Sequence, residues 1–300
     1  MKELVNLPSV FLFHFLPHMR KLSYYFFQIM GFRFVNVCGF KMLVDMEDKG
    51  ISYDLYLRRI REIPLTDFFL KSKAVCEGDT ILDIGANIGY YSLIFSKLVG
   101  EKGSVYAIEP VNSNLSVLNL NLKENNAKNV KSYRLAFSDS EGISRIYVPD
   151  RRNWACMNRE NIMGNNIREE IVNVTTVDSF LNNKPQIPKL VRMDVEGHEY
   201  NILRGMEKTL SKNIVLQLEI HGHFLSEEQL KEMFHMLENN GFLGYIIKSD
   251  FPVLKYLAIE LKGERRYYLH GIGFNTLLNN LVKNKSCLHV VFSKEEAKCT

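Results

Sequence analysis

Short apolar runs alternate with amphipathic stretches from residue 79 onward, and this alternation constrains the fold more than any other feature. The runs 79–85, 104–109 and 130–137 are typical of buried strands, and the stretches 88–99 and 112–124 between them have helical spacing. The pattern continues with predicted strands at 189–195, 213–220, 242–248 and 287–293 and predicted helices at 199–210 and 226–239. Repeated strand–helix–strand units with almost continuously apolar strands predict an α/β fold, in which helices cover both faces of a parallel sheet.

Composition excludes several other classes of protein. The 300 residues are 46% hydrophobic and 24% charged, which is ordinary for a folded chain and excludes a disordered or collagen-like one. The five cysteines are never spaced as C-x-x-C, so we expect free thiols in the cytoplasm and no zinc ribbon. The net charge of +4 is too small a surplus to indicate a dedicated nucleic-acid binder.

The first 73 residues differ in composition and predict an N-terminal extension. Aromatic residues are frequent between positions 24 and 40 with basic residues among them, and 54–72 has helical spacing with a break at Pro64. We predict a helical extension that packs on the main domain or on a second subunit. The alternative is that residues 1–50 contact an anionic membrane surface, because interleaved basic and aromatic side chains bind such surfaces.

Residues 141–180 interrupt the alternation and predict an insertion. Two strand-like runs, 144–149 and 171–177, flank a polar segment that contains Trp154. A polar insertion at the ligand-binding edge of a sheet favours a lid or a substrate loop, and the alternative is a disordered surface excursion. The sequence thus predicts a main domain at 74–293 and a tail at 294–300, and no element is assigned to 251–286.

A glycine-rich turn follows the first strand of the main domain. Gly85 and Gly89 allow a tight turn and a close approach to a ligand, with Ala86 and Asn87 between them. The G-x-N-x-G spacing differs from the G-x-G-x-x-G of nicotinamide dehydrogenases, and Asp83 in that turn would repel a pyrophosphate. A positively charged sulfonium ligand with an amino-acid tail suits the turn better, because a carboxylate can hold its ammonium group.

Acidic residues also follow the next two strands. Glu109 ends the second strand before Pro110, where a carboxylate can accept hydrogen bonds from ribose hydroxyls. Ser138 and Asp139 follow the third strand, where a carboxylate can accept a hydrogen bond from the exocyclic amine of adenine. Three acidic residues at three successive strand ends predict an S-adenosylmethionine site at this edge of the sheet.

A fourth segment places two carboxylates side by side. Strand alternation points Asp194 and Glu196 to the same side, where they could bind a divalent metal, bind the methionine end of the cofactor, or deprotonate a substrate. Glu199 begins the next helix, so we interpret it as a cap. His221 ends the fifth strand and is the alternative base.

These four segments resemble the FkbM-type methyltransferases over roughly residues 74–250. The resemblance is carried by DIGANIGYYS, IEPVNSNLSVLNLNLKENN, LAFSD and VRMDVEGHEYNILRGM. It implies a Rossmann-like class I methyltransferase fold with a mostly parallel, seven-stranded sheet and helices on both faces. It implies cofactor-binding roles for Asp83, Gly85, Asn87, Gly89, Glu109 and Asp139. It also implies a site role for Asp194 and Glu196.

The resemblance and the acidic residues together predict an S-adenosylmethionine-dependent O-methyltransferase. We expect the acceptor to be a hydroxyl of a sugar, a glycan or a related small molecule, and no nucleic acid to be bound. A lipid or protein acceptor, and a non-catalytic interaction module that retains the fold, are the alternatives. We expect the protein to be cytoplasmic. The sequence leaves open whether it depends on a metal, forms a homo-oligomer or contacts a membrane peripherally.

Overall fold

The computed structural model describes residues 31–48, 50–248 and 268–295. Its strands are β1 (Phe32–Val37), β2 (Phe40–Asp45), β3 (Thr80–Ile84), β4 (Ser104–Ile108), β5 (Val130–Tyr133), β6 (Ala136–Phe137), β7 (Gly142–Val148), β8 (Arg168–Thr175), β9 (Leu190–Met193), β10 (Val215–His221), β11 (Leu243–Lys248), β12 (Tyr268–Ile272) and β13 (Cys287–Ser293). Its α-helices are α1 (Ile51–Arg58), α2 (Ile63–Lys71), α3 (Tyr90–Val99), α4 (Asn112–Glu124), α5 (Val177–Leu181), α6 (Glu199–Arg204), α7 (Glu207–Leu210), α8 (Glu227–Asn239) and α9 (Phe274–Asn284).

An eight-stranded sheet organises the main domain, with strand order β12-β11-β13-β10-β9-β3-β4-β5. The neighbouring pairs β10–β9, β9–β3, β3–β4 and β4–β5 are parallel. The pairs β10–β13, β13–β11 and β11–β12 are antiparallel. The predicted α/β class is confirmed. The sheet has one strand more than predicted, because β12 adds to the edge next to β11 from a stretch to which the sequence analysis assigns no element.

Hydrophobic clusters cover both faces of the large sheet. Alternation along β3 sends Ile81 to the cluster that contains α3 and the N-terminal residues, and Leu82 to the cluster that contains α6 and α8. Neighbouring residues of such a strand are buried on opposite faces of the sheet. The strand's sequence is therefore a continuous apolar run. No helix in the described part of the chain is long and apolar enough to cross a membrane.

The N-terminal segment begins with a β-hairpin, so the prediction of a purely helical extension is wrong for 32–45. β1 and β2 pair antiparallel, and along β1 the exposed Phe34 alternates with the buried Val35 and Val37. This period of two is the physical signal of a strand. The buried side chain of Asn121 on α4 accepts a hydrogen bond from the Leu43 backbone N–H at 2.5 Å and attaches the hairpin to the main domain. The aromatic residues before position 31 lie outside the described residues.

The insertion forms a separate three-stranded sheet with strand order β6-β8-β7. The predicted strand 130–137 is therefore two strands, β5 in the large sheet and β6 in the small one. Arg152, in the segment between β7 and β8, forms an ion pair with Asp45 of β2 at 2.5 Å. This contact joins the insertion to the N-terminal hairpin.

Candidate active site

A cavity lies at the carboxyl ends of β3, β4 and β9. Three parts of the chain line it: the turns after these strands, the insertion through residues such as Ile146 and Met157, and the N-terminal segment through Ile51 and Arg61. Carboxyl ends of parallel strands are where open α/β sheets bind ligands.

The glycine turn forms one wall of this cavity. Gly85, Ala86 and Asn87 line it, and Gly89 immediately precedes α3. Gly85 has a φ of +78°, and a Cβ at this position would lie 1.9 Å from the backbone oxygen of Asp194. Only glycine fits there, because it tolerates positive φ and has no side chain to meet the neighbouring turn.

Glu109 is a buried carboxylate beside the glycine turn. Its Oε2 accepts a hydrogen bond from the Asn87 N–H at 2.8 Å, and its Oε1 accepts one from the Val111 N–H at 2.9 Å. Burial raises the pKa of Glu109 to about 7, against the lowering effect of these backbone hydrogen bonds. Glu109 and Pro110 both line the cavity. Each carboxylate oxygen has two lone pairs, so Glu109 Oε2 can accept a further hydrogen bond from a ligand there.

Asp83 lies behind the cavity wall and acts through Arg192. The Asp83 side chain is fully buried, with Oδ1 accepting from Arg192 Nη1 at 3.2 Å and Oδ2 accepting from Ser92 Oγ at 2.6 Å. Arg192 lines the cavity and also donates to Asp194 Oδ2 at 2.7 Å. Burial raises the pKa of Asp83, and the Arg192 charge opposes that rise. In this geometry the Asp83 carboxylate fixes Arg192.

Ser138 and Asp139 lie just outside the main cavity, whose wall at this point is formed by Ala136 and Phe137. Ser138 Oγ is 2.9 Å from His198 Nε2 and lines a neighbouring, more open depression. The carboxylate of Asp139 forms an ion pair with Arg204 at 3.3 Å. A role for Ser138 and Asp139 in adenine binding therefore stays a prediction.

Asp194 and Glu196 line the cavity, and the buried side chain of His221 lies directly behind Glu196. Their ligand atoms all lie within 4.8 Å of one another, and His221 Nε2 is 3.2 Å from Glu196 Oε2. β9 ends at Met193, so the following turn and not strand alternation brings the two carboxylates together. Burial raises the pKa of Glu196, and the hydrogen bond from His221 opposes this. A pair of acids and a histidine at one wall can accept a proton from a ligand or hold a divalent cation.

The sequence analysis missed the arginines of this cavity. Each arginine is paired with a carboxylate from outside the cavity lining: Arg61 with Glu62 at 2.5 Å, Arg152 with Asp45 at 2.5 Å and Arg192 with Asp83 at 3.2 Å. Arg192 had a detectable signal, since a charged residue inside an apolar strand must be paired when the strand is buried. Arg61 and Arg152 are brought in by long-range packing and have no local signal.

The comparison with known families decides which family the chain belongs to. Residues 83–243, more than half of the chain, match the Methyltransferase FkbM domain. The chain belongs to the FkbM methyltransferase family. The fold is thus the Rossmann-like fold of class I S-adenosylmethionine-dependent methyltransferases, with the cavity at the strand ends that carry the family's sequence segments.

Three known proteins are similar to this FkbM methyltransferase over part of its length. Methyltransferase 1 of Beauveria bassiana is 25% identical over 206 residues, which cover 61% of this chain and 80% of that protein. Hexuronic acid methyltransferase AglP of Haloferax volcanii is 31% identical over 146 residues, 48% of this chain and 57% of AglP. The crystal structure of methyltransferase FkbM from Methylobacillus flagellatus KT is 16% identical, with a TM-score of 0.42, and covers 71% of this chain and 43% of that one.

Proposed function

We propose that this FkbM methyltransferase uses S-adenosylmethionine to methylate a hydroxyl oxygen of a sugar, a glycan or a related small molecule. The observation that carries the proposal is that one cavity is lined by the glycine turn, Glu109, Asp194 and Glu196, with His221 buried directly behind Glu196. Glu109 suits a nucleoside with ribose hydroxyls, and Glu196 suits an acceptor that must lose a proton. The similarity to a hexuronic acid methyltransferase supports a sugar acceptor.

The cavity suits a positively charged cofactor. Glu109, Asp194 and Glu196 line it, and its three arginines are each paired with a carboxylate outside the lining. The carboxylates in and around the cavity therefore outnumber the arginines, and a cationic ligand offsets this excess of negative charge. S-adenosylmethionine, when bound, supplies a methyl group on a positively charged sulfur that leaves as a neutral thioether.

The remaining chemistry belongs to the chain's own residues. A sugar hydroxyl is a poor nucleophile, so its O–H bond must break as its oxygen bonds to the methyl carbon. Glu196 accepts that proton on a carboxylate oxygen, and His221 Nε2, 3.2 Å from Glu196 Oε2, stabilises the Glu196 carboxylate. Arg192 holds Asp194 in place, and the insertion residues Arg152 and Met157 line the cavity where they can select the acceptor.

A divalent cation also fits the acidic side of the cavity. It would be held by Asp194, Glu196 and His221 Nε2 and would polarise the acceptor oxygen. We expect the chain to retain activity after dialysis against EDTA, because the Glu196 carboxylate can accept the proton without a metal. Turnover of the EDTA-treated protein, with and without added Mg²⁺ or Mn²⁺, checks this. Loss of activity that either ion restores would assign the acceptor's activation to a metal.

Cofactor affinity should depend on pH through Glu109. Its pKa of about 7 lies near neutrality because of burial, and only the ionised carboxylate accepts two ribose hydroxyls fully. The affinity for S-adenosylhomocysteine should therefore rise about tenfold between about pH 6 and about pH 8. Calorimetric titration at the two pH values measures this change. The Glu109→Gln variant should bind weakly at both, and an equally steep pH dependence in that variant would contradict the role of Glu109.

The acceptor can be identified by transfer of a labelled methyl group. Purified wild-type protein and the Asp194→Ala variant are incubated with methyl-labelled S-adenosylmethionine and with separate glycan, lipid and protein fractions of cell extracts. We expect the label in the glycan or small-molecule fraction with the wild type only. Label in the lipid or protein fraction would assign the alternative acceptors, and no transfer to any fraction would favour a non-catalytic module.

A further inference from the structure

Glu199 has a contact that a helix cap does not need. It is the first residue of α6, and its side chain is completely buried. Its Oε1 lies 2.6 Å from His221 Nδ1 and also accepts a hydrogen bond from the Gly197 N–H at 3.1 Å. A carboxylate taken fully out of water is costly unless strong hydrogen bonds or an opposite charge compensate it. The hydrogen bond from His221 compensates for the burial of the Glu199 carboxylate.

The two ring nitrogens of His221 face different carboxylates. Nδ1 faces Glu199 in the interior at 2.6 Å, whereas Nε2 faces Glu196 at the cavity wall at 3.2 Å and, at 3.9 Å, Glu219. The His221 ring is itself 4% exposed and stacks with Phe224 at a centroid distance of 5.9 Å and an angle of 25°. A histidine whose inner nitrogen donates to a buried carboxylate has one ring orientation, and its outer nitrogen is presented to the site.

The contact between His221 and Glu199 fixes which atom carries the proton. An ionised carboxylate oxygen can only accept a hydrogen bond, so at 2.6 Å the His221 Nδ1 atom is the donor and keeps its proton toward Glu199 Oε1. Rotation of the ring by 180° about χ2 would leave this carboxylate without its donor.

We propose that Glu199 is a positioning residue for methyl transfer, which holds the His221 ring so that Nε2 faces Glu196 at the cavity wall. Its effect on turnover rests on the proposed function, whereas the orientation of the ring does not. Glu199 lies outside the cavity lining, so it acts on the site through His221. This positioning role adds to the interpretation of Glu199 as a helix cap.

Nuclear magnetic resonance of the full chain tests the orientation without any turnover. The Nδ1–H proton of His221 should resonate far downfield in the wild type, and it is identified by its absence in the His221→Gln variant. Glu199→Gln keeps the size and an acceptor oxygen but removes the charge, so the resonance should move upfield. An unchanged resonance in Glu199→Gln would overturn the proposal.

Kinetics of the same variants test the consequence. We expect Glu199→Gln to lower kcat by about 10- to 100-fold, with unchanged KM and unchanged affinity for S-adenosylhomocysteine. Glu207→Gln is the matched control, since Glu207 is an exposed acid at the start of α7. If Glu199→Gln does not fold, Glu199→Asp takes its place and should recover part of the wild-type kcat and resonance. A lower melting temperature with wild-type kcat would overturn the proposal, and a wild type that transfers no methyl group would overturn the proposed function alone.

Discussion

Replacing Glu196 by glutamine should lower kcat for methyl transfer by about 100- to 10,000-fold, the range that a positioned general base contributes. Glu196 lines the cavity, and its Oε2 lies 3.2 Å from His221 Nε2. The amide has almost the same shape but cannot take the acceptor's proton. The acceptor oxygen would then have to form its bond to the methyl carbon while it keeps its proton. Turnover with labelled S-adenosylmethionine and the identified acceptor measures the loss.

Two controls separate catalysis from folding in this experiment. The Glu196→Gln variant should bind S-adenosylhomocysteine as the wild type does, because the predicted cofactor contacts lie at Glu109 and the glycine turn. Glu160→Gln, an exposed glutamate of the insertion, should turn over at the wild-type rate. A wild-type kcat in the Glu196→Gln variant would show that another group accepts the proton.

Replacing Arg192 by methionine should lower the free energy of unfolding by about 3–5 kcal/mol, as expected when one partner of a buried ion pair is removed. Arg192 is 4% exposed, and its partner Asp83 is completely buried. Methionine fills much of the volume but leaves the Asp83 carboxylate without a cation. Burial already raises the pKa of Asp83 in the folded state, and loss of Arg192 should raise it further. Unfolding in urea, followed by circular dichroism, measures the effect.

The pH dependence of this loss has a defined sign. A carboxyl group whose pKa is raised by folding binds more protons in the folded state, so it destabilises the folded chain increasingly as the pH rises. The deficit of Arg192→Met relative to the wild type should therefore be smaller at about pH 5 than at about pH 8. Arg204→Met removes a half-exposed ion pair with Asp139 and should cost less than about 1 kcal/mol. Equal losses in the two variants would contradict the importance of the buried pair.

Much of the large sheet could be predicted from the sequence because its strands are buried on both faces. β3, β4 and α4 have strong periodicity and clear ends, and the bounds of β13 and α4 agree with those predicted. The hairpin 32–45 was missed because its frequent aromatic residues obscured the alternation of buried and exposed positions. β12 was missed because YLHGI has a histidine and a glycine where a strand normally has apolar residues.

The residues of the candidate site could largely be predicted from the sequence, but the contacts between them could not. The sequence places Glu109, Asp194 and Glu196 at strand ends, and the structure brings all three to one cavity. It could not indicate that Asp83 faces Arg192, since that contact depends on the register of β3 and β9. Nor could it distinguish Glu199 as a cap from Glu199 as the partner of His221, which lies 22 residues away in sequence.

The central claim is that the cavity between Glu109 and Glu196 is an S-adenosylmethionine site, and calorimetric titration with S-adenosylhomocysteine tests it most directly. The wild type should bind one molecule per chain. Glu109→Ala should lose most of the affinity, because the carboxylate that faces the ribose hydroxyls is removed. Glu207→Ala, which changes an exposed glutamate at the start of α7 outside the cavity lining, should bind as the wild type does. Absence of binding to the wild-type chain, or equal affinities of the wild type and Glu109→Ala, would contradict this assignment.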